Sequence, residues 1–103
     1  MIDLKTGGKI INVASLLSVI GVPNIIPYAS SKGGVASLTR SLAAEWAKHQ
    51  INVNAVGPGY IRTEMTRELQ EDADRSSNIT ARIPAGRWGI PDDLKGTFVF
   101  FRI

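Results

Sequence analysis

The sequence predicts an α/β fold, in which a strand–helix–strand unit with parallel strands is followed by shorter helices near the carboxyl end. Two short apolar segments, residues 9–14 and 51–56, have the composition of buried strands. A long segment with helical spacing of apolar residues lies between them. Two strands joined by one long helix form a right-handed crossover, so we expect them to be parallel.

The first strand, "KIINVA", follows a glycine pair at residues 7–8 that predicts a turn, and Ser15 marks its expected end. The helix is predicted over residues 28–48, where Pro27 fits the first turn and the basic Lys48 and His49 fit the last. Its apolar stripe consists of Val35, Leu38, Leu42 and Trp46. These features predict a helix of roughly 30 Å.

The second strand, "INVNAV", is ended by the "GPG" of residues 57–59. We then expect a short polar helix over residues 64–73 and an irregular connection, "IPAGRWGIP", over residues 83–91. The sequence "PDD" predicts a last helix, with Pro91 in its first position and two carboxylates in its first turn. That helix runs into the apolar ending "TFVFFRI".

Composition excludes several classes of protein. The 103 residues include no cysteine, so disulfides, thiolate metal sites and a cysteine nucleophile are ruled out, and no metal site is expected. The formal charge of +3 arises from scattered charges of both signs, so nucleic-acid binding is not expected. No apolar segment approaches the roughly 18 residues of a membrane span, so a cytoplasmic protein is expected.

Polar residues that are distant in sequence converge on one edge of the predicted sheet. Ligands of open α/β sheets bind at the carboxyl ends of parallel strands, where Ser15 and residues 57–59 would lie. Tyr28 joins them if residues 16–27 lead the chain back over that edge. Tyr28 and Lys32 then share one helix face, and a cation within about 4–6 Å favours a phenolate. Such a phenol could exchange a proton with a substrate oxygen that Ser15 holds.

A plainer interpretation makes Tyr28 a buried aromatic residue, Lys32 a solvated helix lysine and Ser15 a turn residue. The Tyr-x-x-x-Lys spacing is common by chance, and this pair alone favours the plainer interpretation. The surrounding sequence decides between the two interpretations.

The segments "INVASLLS", "PYASSKGG" and "INVNAVGPGYIRTEM" together resemble the short-chain dehydrogenase/reductase family. The family pattern is a strand with Asn-x-x-Ser, then Tyr-x-x-x-Lys on a long helix, then a strand ending in Pro-Gly. Here Asn12 and Ser15 form the first motif, and Ser15 lies thirteen residues before Tyr28. The segments "EWAKHQINVNAV" and "RIPAGRWGIPDDL" are most similar to the sugar-acid branch, the 2-deoxy-gluconate and gluconate dehydrogenases.

The resemblance implies a function for each matching position. Tyr28 would be the general acid for carbonyl reduction and the general base for alcohol oxidation. Ser15 would hydrogen-bond the carbonyl oxygen, and Lys32 would stabilise the phenolate and bind the nicotinamide ribose. Residues 64–83 would cover a small carbonyl or sugar-type substrate, with Ser18 as a further polar contact. The cofactor, NAD or NADP, would be bound by Tyr28, Lys32, Pro58, Gly59, Ile61 and Thr63.

The resemblance also implies that the sequence corresponds to only part of a family member. Members are more than twice as long, and their Gly-rich phosphate-binding turn has no counterpart here. We therefore expect residues 1–103 to form a single partial Rossmann-type domain, the catalytic half of an incomplete doubly wound sheet. Weak cofactor affinity is expected, and the alternative is a catalytically inactive, self-associating fragment. A separate chain that supplies the other half is a third possibility.

A two-stranded sheet leaves apolar surface exposed, which predicts a homo-oligomer. The dimer or tetramer would form through the helix of residues 28–48 and through the apolar tail. The tail residues are Phe98, Val99, Phe100, Phe101 and Ile103. Burial of each such side chain contributes roughly 1.5–3 kcal/mol, so exposure of all five would be costly.

Overall fold

The computed structural model describes residues 1–103 and confirms the α/β class. Two strands and four α-helices follow in the order β1 (Gly8–Val13), α1 (Ile26–Trp46), β2 (Ile51–Val56), α2 (Arg67–Glu71), α3 (Ala73–Arg82) and α4 (Lys95–Arg102). The chain divides into two compact units, of which the first comprises Met1–Pro58 with Thr97–Ile103 and the second Gly59–Gly96. None of the helices, including α1, the longest, combines the length and the apolar character that a membrane crossing requires.

Strands β1 and β2 pair in parallel, as predicted, with Gly8 opposite Ile51 and Val13 opposite Val56. A hydrogen bond extends the pairing one residue beyond β1, because the Ala14 N–H donates to the Val56 carbonyl at 2.8 Å. Strand β2 is the more buried of the two, and it contributes Ile51, Val53 and Val56 to the core. The carboxyl ends of both strands therefore lie at one edge of the sheet.

The turn predicted before β1 depends on Gly7, whose φ is +66°. A Cβ atom at this position would lie 2.8 Å from the carbonyl oxygen of Gln50. The same oxygen accepts the N–H of Gly8 at 3.2 Å, and Gly8 is already the first residue of β1. Glycine thus allows the chain to pass close to the residue that precedes β2.

Helix α1 begins at Ile26, two residues before the predicted start, and a 3₁₀ turn at Ala47–His49 extends it. Its one buried residue is Thr39, which sequence analysis did not identify. The Asn12 side-chain amide donates to Thr39 Oγ1 at 3.0 Å, and Thr39 Oγ1 donates to the Val35 carbonyl at 2.7 Å. Leu38 of the predicted apolar stripe is 52% exposed, whereas the neighbouring polar Thr39 is buried and hydrogen-bonded to β1.

A short helix is present where one was predicted over residues 64–73, but it ends at Glu71 and a second helix follows. A 3₁₀ turn at Glu64–Thr66 leads into the five-residue α2, and the chain is then extended at Asp72, with φ −80° and ψ 101°. The Asp72 carboxylate accepts the Arg75 N–H at 3.1 Å and so caps α3, a helix that sequence analysis did not predict. Asp72 therefore separates two short helices, because an aspartate side chain favours the start of a helix.

The connection over residues 83–91 is irregular, as predicted, but it contains a parallel bridge between Ile61 and Gly89. The Arg62 N–H donates to the Gly89 carbonyl, and the Gly89 N–H donates to the Tyr60 carbonyl, both at 2.9 Å. The buried Trp88 packs against Tyr60 with ring centres 5.4 Å apart. These contacts organise the second unit.

The last helix follows the prediction, with Pro91 in the first position of a 3₁₀ turn, Pro91–Leu94, that leads into α4. Asp93 accepts the Ile90 N–H at 2.9 Å and pairs with Arg87, also at 2.9 Å. The tail beyond is exposed as expected: Val99 is 57%, Phe100 70% and Ile103 88% accessible. Three of the five apolar tail residues are therefore exposed, and other exposed apolar side chains, among them Val19, Ile26 and Met65, lie elsewhere in the chain.

Candidate active site

Lys32 is fixed at the carboxyl end of β1. Its Nζ donates to the carbonyl oxygen of Val13 at 2.8 Å and lies 5.9 Å from the centre of the Tyr28 ring. Lys32 and Tyr28 are one turn apart on α1, so the prediction that they share a helix face is confirmed. The ammonium lies within the range at which an aromatic ring attracts a cation.

Tyr28 lies in the first turn of α1 and is 37% exposed. The plainer interpretation, in which Tyr28 is a buried aromatic residue, is therefore wrong. Its backbone carbonyl accepts the Ser31 hydroxyl at 2.8 Å, a contact within the helix. A ring in this position is accessible to a small molecule.

Ser15 follows the strand end and caps a 3₁₀ turn at Leu16–Ser18. Its Oγ accepts the Leu17 N–H at 3.1 Å but donates to no protein atom. A hydroxyl has one hydrogen and two lone pairs, so its hydrogen is available to a ligand oxygen. Ser15 is thus a turn residue, as in the plainer interpretation, and its hydroxyl hydrogen is free to donate to a ligand.

Ser18 joins Ser15 to Lys32. Its Oγ accepts the Ser15 N–H at 3.2 Å and donates to the Lys32 backbone carbonyl at 2.7 Å. Sequence analysis assigned Ser18 only a polar contact in the pocket, and serine at this spacing gives no sign of such a bridge. Three of the sequence-predicted polar residues, Ser15, Ser18 and Lys32, are therefore connected.

The end of β2 approaches the same turn. The Leu16 N–H donates to the Pro58 carbonyl at 3.0 Å, and a Cβ atom on Gly57 would lie 3.4 Å from the Ser15 carbonyl oxygen. The "GPG" segment thus passes close to the Ser15 turn, as expected of two adjacent parallel strand ends.

The remaining predicted cofactor residues, Gly59, Ile61 and Thr63, belong to the second unit. Ile61 takes part in the bridge to Gly89, and the Thr63 carbonyl accepts the Gln70 side-chain amide at 3.0 Å. Thr63 also lines an open groove of ≈ 330 Å³ in this unit. The other residues that line this groove are Arg62, Glu64, Arg67, Gln70 and Glu71.

Ser15, Ser18 and Lys32 are thus connected by hydrogen bonds, and Tyr28 lies one helix turn before Lys32. The family model described as enoyl-(acyl carrier protein) reductase matches residues 3–102, nearly the whole chain. The chain belongs to the short-chain dehydrogenase/reductase family, so the resemblance stated from sequence is confirmed.

Individual relatives belong to the sugar-acid branch. The 2-dehydro-3-deoxy-D-gluconate 5-dehydrogenase of Dickeya dadantii is 57% identical over 94 residues, which are 91% of this chain and 37% of the relative. The 5-keto-D-gluconate 5-reductase of Escherichia coli is 47% identical over 100 residues, which are 97% of this chain and 39% of the relative. The chain therefore spans well under half the length of these relatives.

A solved structure extends the similarity to the fold. The gluconate 5-dehydrogenase of Burkholderia cenocepacia, crystallised with NADP and tartrate, superposes with a TM-score of 0.94 at 44% identity. The match covers 98% of this chain and 39% of that one. The Rossmann-type fold class predicted from sequence is confirmed.

Proposed function

We propose that this chain carries the proton-transfer site of an NAD(P)-dependent oxidoreductase that interconverts a carbonyl and a secondary alcohol. The observation that carries the proposal is the position of the Lys32 ammonium, 2.8 Å from the Val13 carbonyl oxygen and 5.9 Å from the centre of the Tyr28 ring. A fixed cation beside an accessible phenol is the arrangement that proton transfer by a tyrosine requires.

Three residues of the site take part in the proposed proton transfer. The Tyr28 phenol donates its proton to the substrate's carbonyl oxygen in reduction and removes the alcohol proton in oxidation. The Ser15 hydroxyl, whose hydrogen has no protein acceptor, holds the same oxygen. The Lys32 charge stabilises the phenolate that forms when the proton leaves.

The residues present fit the nicotinamide end of the cofactor. An ammonium has three hydrogens, and Lys32 uses one on Val13, so two are available to the ribose hydroxyls. Pro58, Gly59, Ile61 and Thr63 would contact the nicotinamide and its carboxamide. Bound NAD(P)H supplies the hydride, while this chain supplies placement and the proton.

The proposed substrates are small sugar acids or their keto forms. The two relatives described above are named for such substrates, and their sequences match this chain closely.

We also propose that the chain acts as a homo-oligomer in the cytoplasm, with residues 1–103 as one partial Rossmann-type domain. The exposed Val99, Phe100 and Ile103 support self-association, because each would be stabilised by burial in an interface. The same exposed surface favours the second candidate function, a self-associating fragment without turnover.

The test uses a small hydride donor, because the residues described match only the nicotinamide end. The chain is mixed with reduced nicotinamide mononucleotide at millimolar concentration and 5-keto-D-gluconate, and loss of nicotinamide absorbance is followed. We expect turnover that Tyr28→Phe abolishes and that Tyr60→Phe, the matched loss of the other phenol, leaves unchanged. Wild-type chain without turnover, or equal rates in Tyr28→Phe, would overturn the proposal in favour of the inactive fragment. NADH and NADPH are titrated in parallel to compare the two cofactors.

A further inference from the structure

We infer that Ser18 is a positioning residue that sets the distance between the Ser15 hydroxyl and the Lys32–Tyr28 pair. This inference rests on the function proposed above and assigns Ser18 a role other than substrate contact. Its Oγ is the shared atom of two hydrogen bonds, from the Ser15 N–H at 3.2 Å and to the Lys32 carbonyl at 2.7 Å.

The Ser15 amide depends on this contact because the sheet does not satisfy it. The N–H groups on either side, of Ala14 and Leu16, donate to the Val56 and Pro58 carbonyls of the β2 strand and its extension. In an extended chain alternate N–H groups point in opposite directions, so the Ser15 N–H points away from β2. Ser18 Oγ is its acceptor.

The Ser18 hydroxyl also acts as a hydrogen-bond donor. A serine hydroxyl has one hydrogen, and in Ser18 this hydrogen is directed to Lys32, fourteen residues along the chain. Lys32 is thereby fixed at two points, through its ammonium to Val13 and through its carbonyl to Ser18. Val13 and Ser15 lie in the same short segment, so both contacts tie the second turn of α1 to the strand end.

Loss of the Ser18 hydroxyl would allow Ser15 to shift relative to Lys32 and Tyr28, although no group that contacts the substrate would be removed. Small misplacement of reacting groups lowers the rate more than binding, because transition-state geometry is more exacting than ground-state contact. We therefore expect kcat to fall while KM for the carbonyl substrate changes little.

The experiment compares four variants in the mononucleotide assay. Ser18→Ala is expected to lower kcat by roughly ten- to a hundredfold with KM within about twofold, whereas Ser18→Thr, which keeps a hydroxyl, restores most of the rate. Ser31→Ala is the matched control, since it removes a serine-to-carbonyl hydrogen bond of 2.8 Å that stays within α1. Ser18→Cys, of similar size but a weak donor, serves if the alanine variant fails to fold.

A second measurement is independent of turnover. Hydrogen exchange of the Ser15 amide, followed by NMR, is expected to quicken in Ser18→Ala and to stay unchanged in Ser31→Ala. Wild-type kcat in folded Ser18→Ala or Ser18→Cys would overturn the inference, and so would unchanged exchange at Ser15. Failure of the proposed function is distinguishable, because it would show as a wild-type chain without turnover or as equal rates for the wild type and Tyr28→Phe. The exchange rate of the Ser15 amide tests the Ser18 contact in either case.

Discussion

The Nζ of Lys32 donates to the carbonyl oxygen of Val13 at 2.8 Å, which joins a helix side chain to the last residue of β1. The next residue, Ala14, is itself bonded to β2 through its N–H. The ammonium is therefore held relative to the sheet before any ligand arrives. Preorganised charge of this kind costs no rearrangement during the reaction.

Removal of the Lys32 charge should weaken binding of the nicotinamide ribose. Hydrogen bonds from charged groups contribute about 1.5–3 kcal/mol each, so Lys32→Met is expected to raise the Kd of reduced nicotinamide mononucleotide at least tenfold. Lys48→Met, in the 3₁₀ turn after α1, is the matched control. Calorimetric titration gives both values, and equal Kd in the two variants would remove Lys32 from the cofactor site.

The Asn12–Thr39 hydrogen bond should stabilise the packing of α1 on β1. Thr39→Val keeps the size of the side chain but leaves the half-buried Asn12 amide without its acceptor, so we expect a loss of about 1–2 kcal/mol in the free energy of unfolding. Thr80→Val is the control, because the Thr80 hydroxyl contacts only the Ser76 carbonyl in its own helix. Urea denaturation that gives equal losses for both variants would contradict a special role for Thr39.

Two glycines should respond in opposite directions to alanine. Gly7→Ala is expected to cost at least about 1–2 kcal/mol, because its φ is +66° and a Cβ would meet the Gln50 carbonyl at 2.8 Å. Gly34→Ala is expected to add up to about 1 kcal/mol, since Gly34 is inside α1 with nothing near its missing Cβ. Thermal unfolding of both variants checks the signs, and a stabilising Gly7→Ala would refute the turn geometry.

The Arg87–Asp93 ion pair should make the free energy of unfolding depend on pH in the acid range. The hydrogen bond from Arg87, followed by that from the Ile90 N–H, lowers the pKa of Asp93 in the folded chain. A carboxyl group with a lowered pKa stabilises the folded chain at pH values above its unfolded pKa of about 3.9. This stabilisation is lost as the pH falls from there through the lower pKa of the folded state. We expect Asp93→Asn to flatten the acid side of the stability–pH curve relative to Asp74→Asn, measured by denaturation at several pH values. Parallel curves for the two variants would contradict this account.

The exposed tail should carry self-association. Phe100 is 70% exposed, and Phe100→Asp is expected to shift the mass measured by light scattering from oligomer towards monomer. Arg102→Asp, a neighbouring charge change in the last turn of α4, should leave the mass unchanged. A wild-type chain that is monomeric at micromolar concentration would refute the oligomer altogether.

Much of the fold and part of the site follow from local sequence signals. The β-branched segments predicted both strands, and the glycine–proline–glycine segment predicted the end of β2. The four-residue spacing predicted that Tyr28 and Lys32 share a helix face, because helical periodicity requires no tertiary contact. The start of α3 at Asp72 was not predicted, because a carboxylate near a helix end can either belong to that helix or cap the next one.

The sequence by itself determined the strand–helix–strand unit, the direction of its strands and the pairing of a phenol with an ammonium on one helix. Those features arise from periodicity and chain connectivity, which act over short distances along the chain. Only the tertiary structure decided that Lys32 bonds to Val13, that Ser18 bridges Ser15 and Lys32, and that Thr39 is the buried position of α1. Hydrogen bonds between residues distant in sequence depend on how the helices and strands pack. The identity of a serine or threonine residue does not specify the partner of its hydroxyl group.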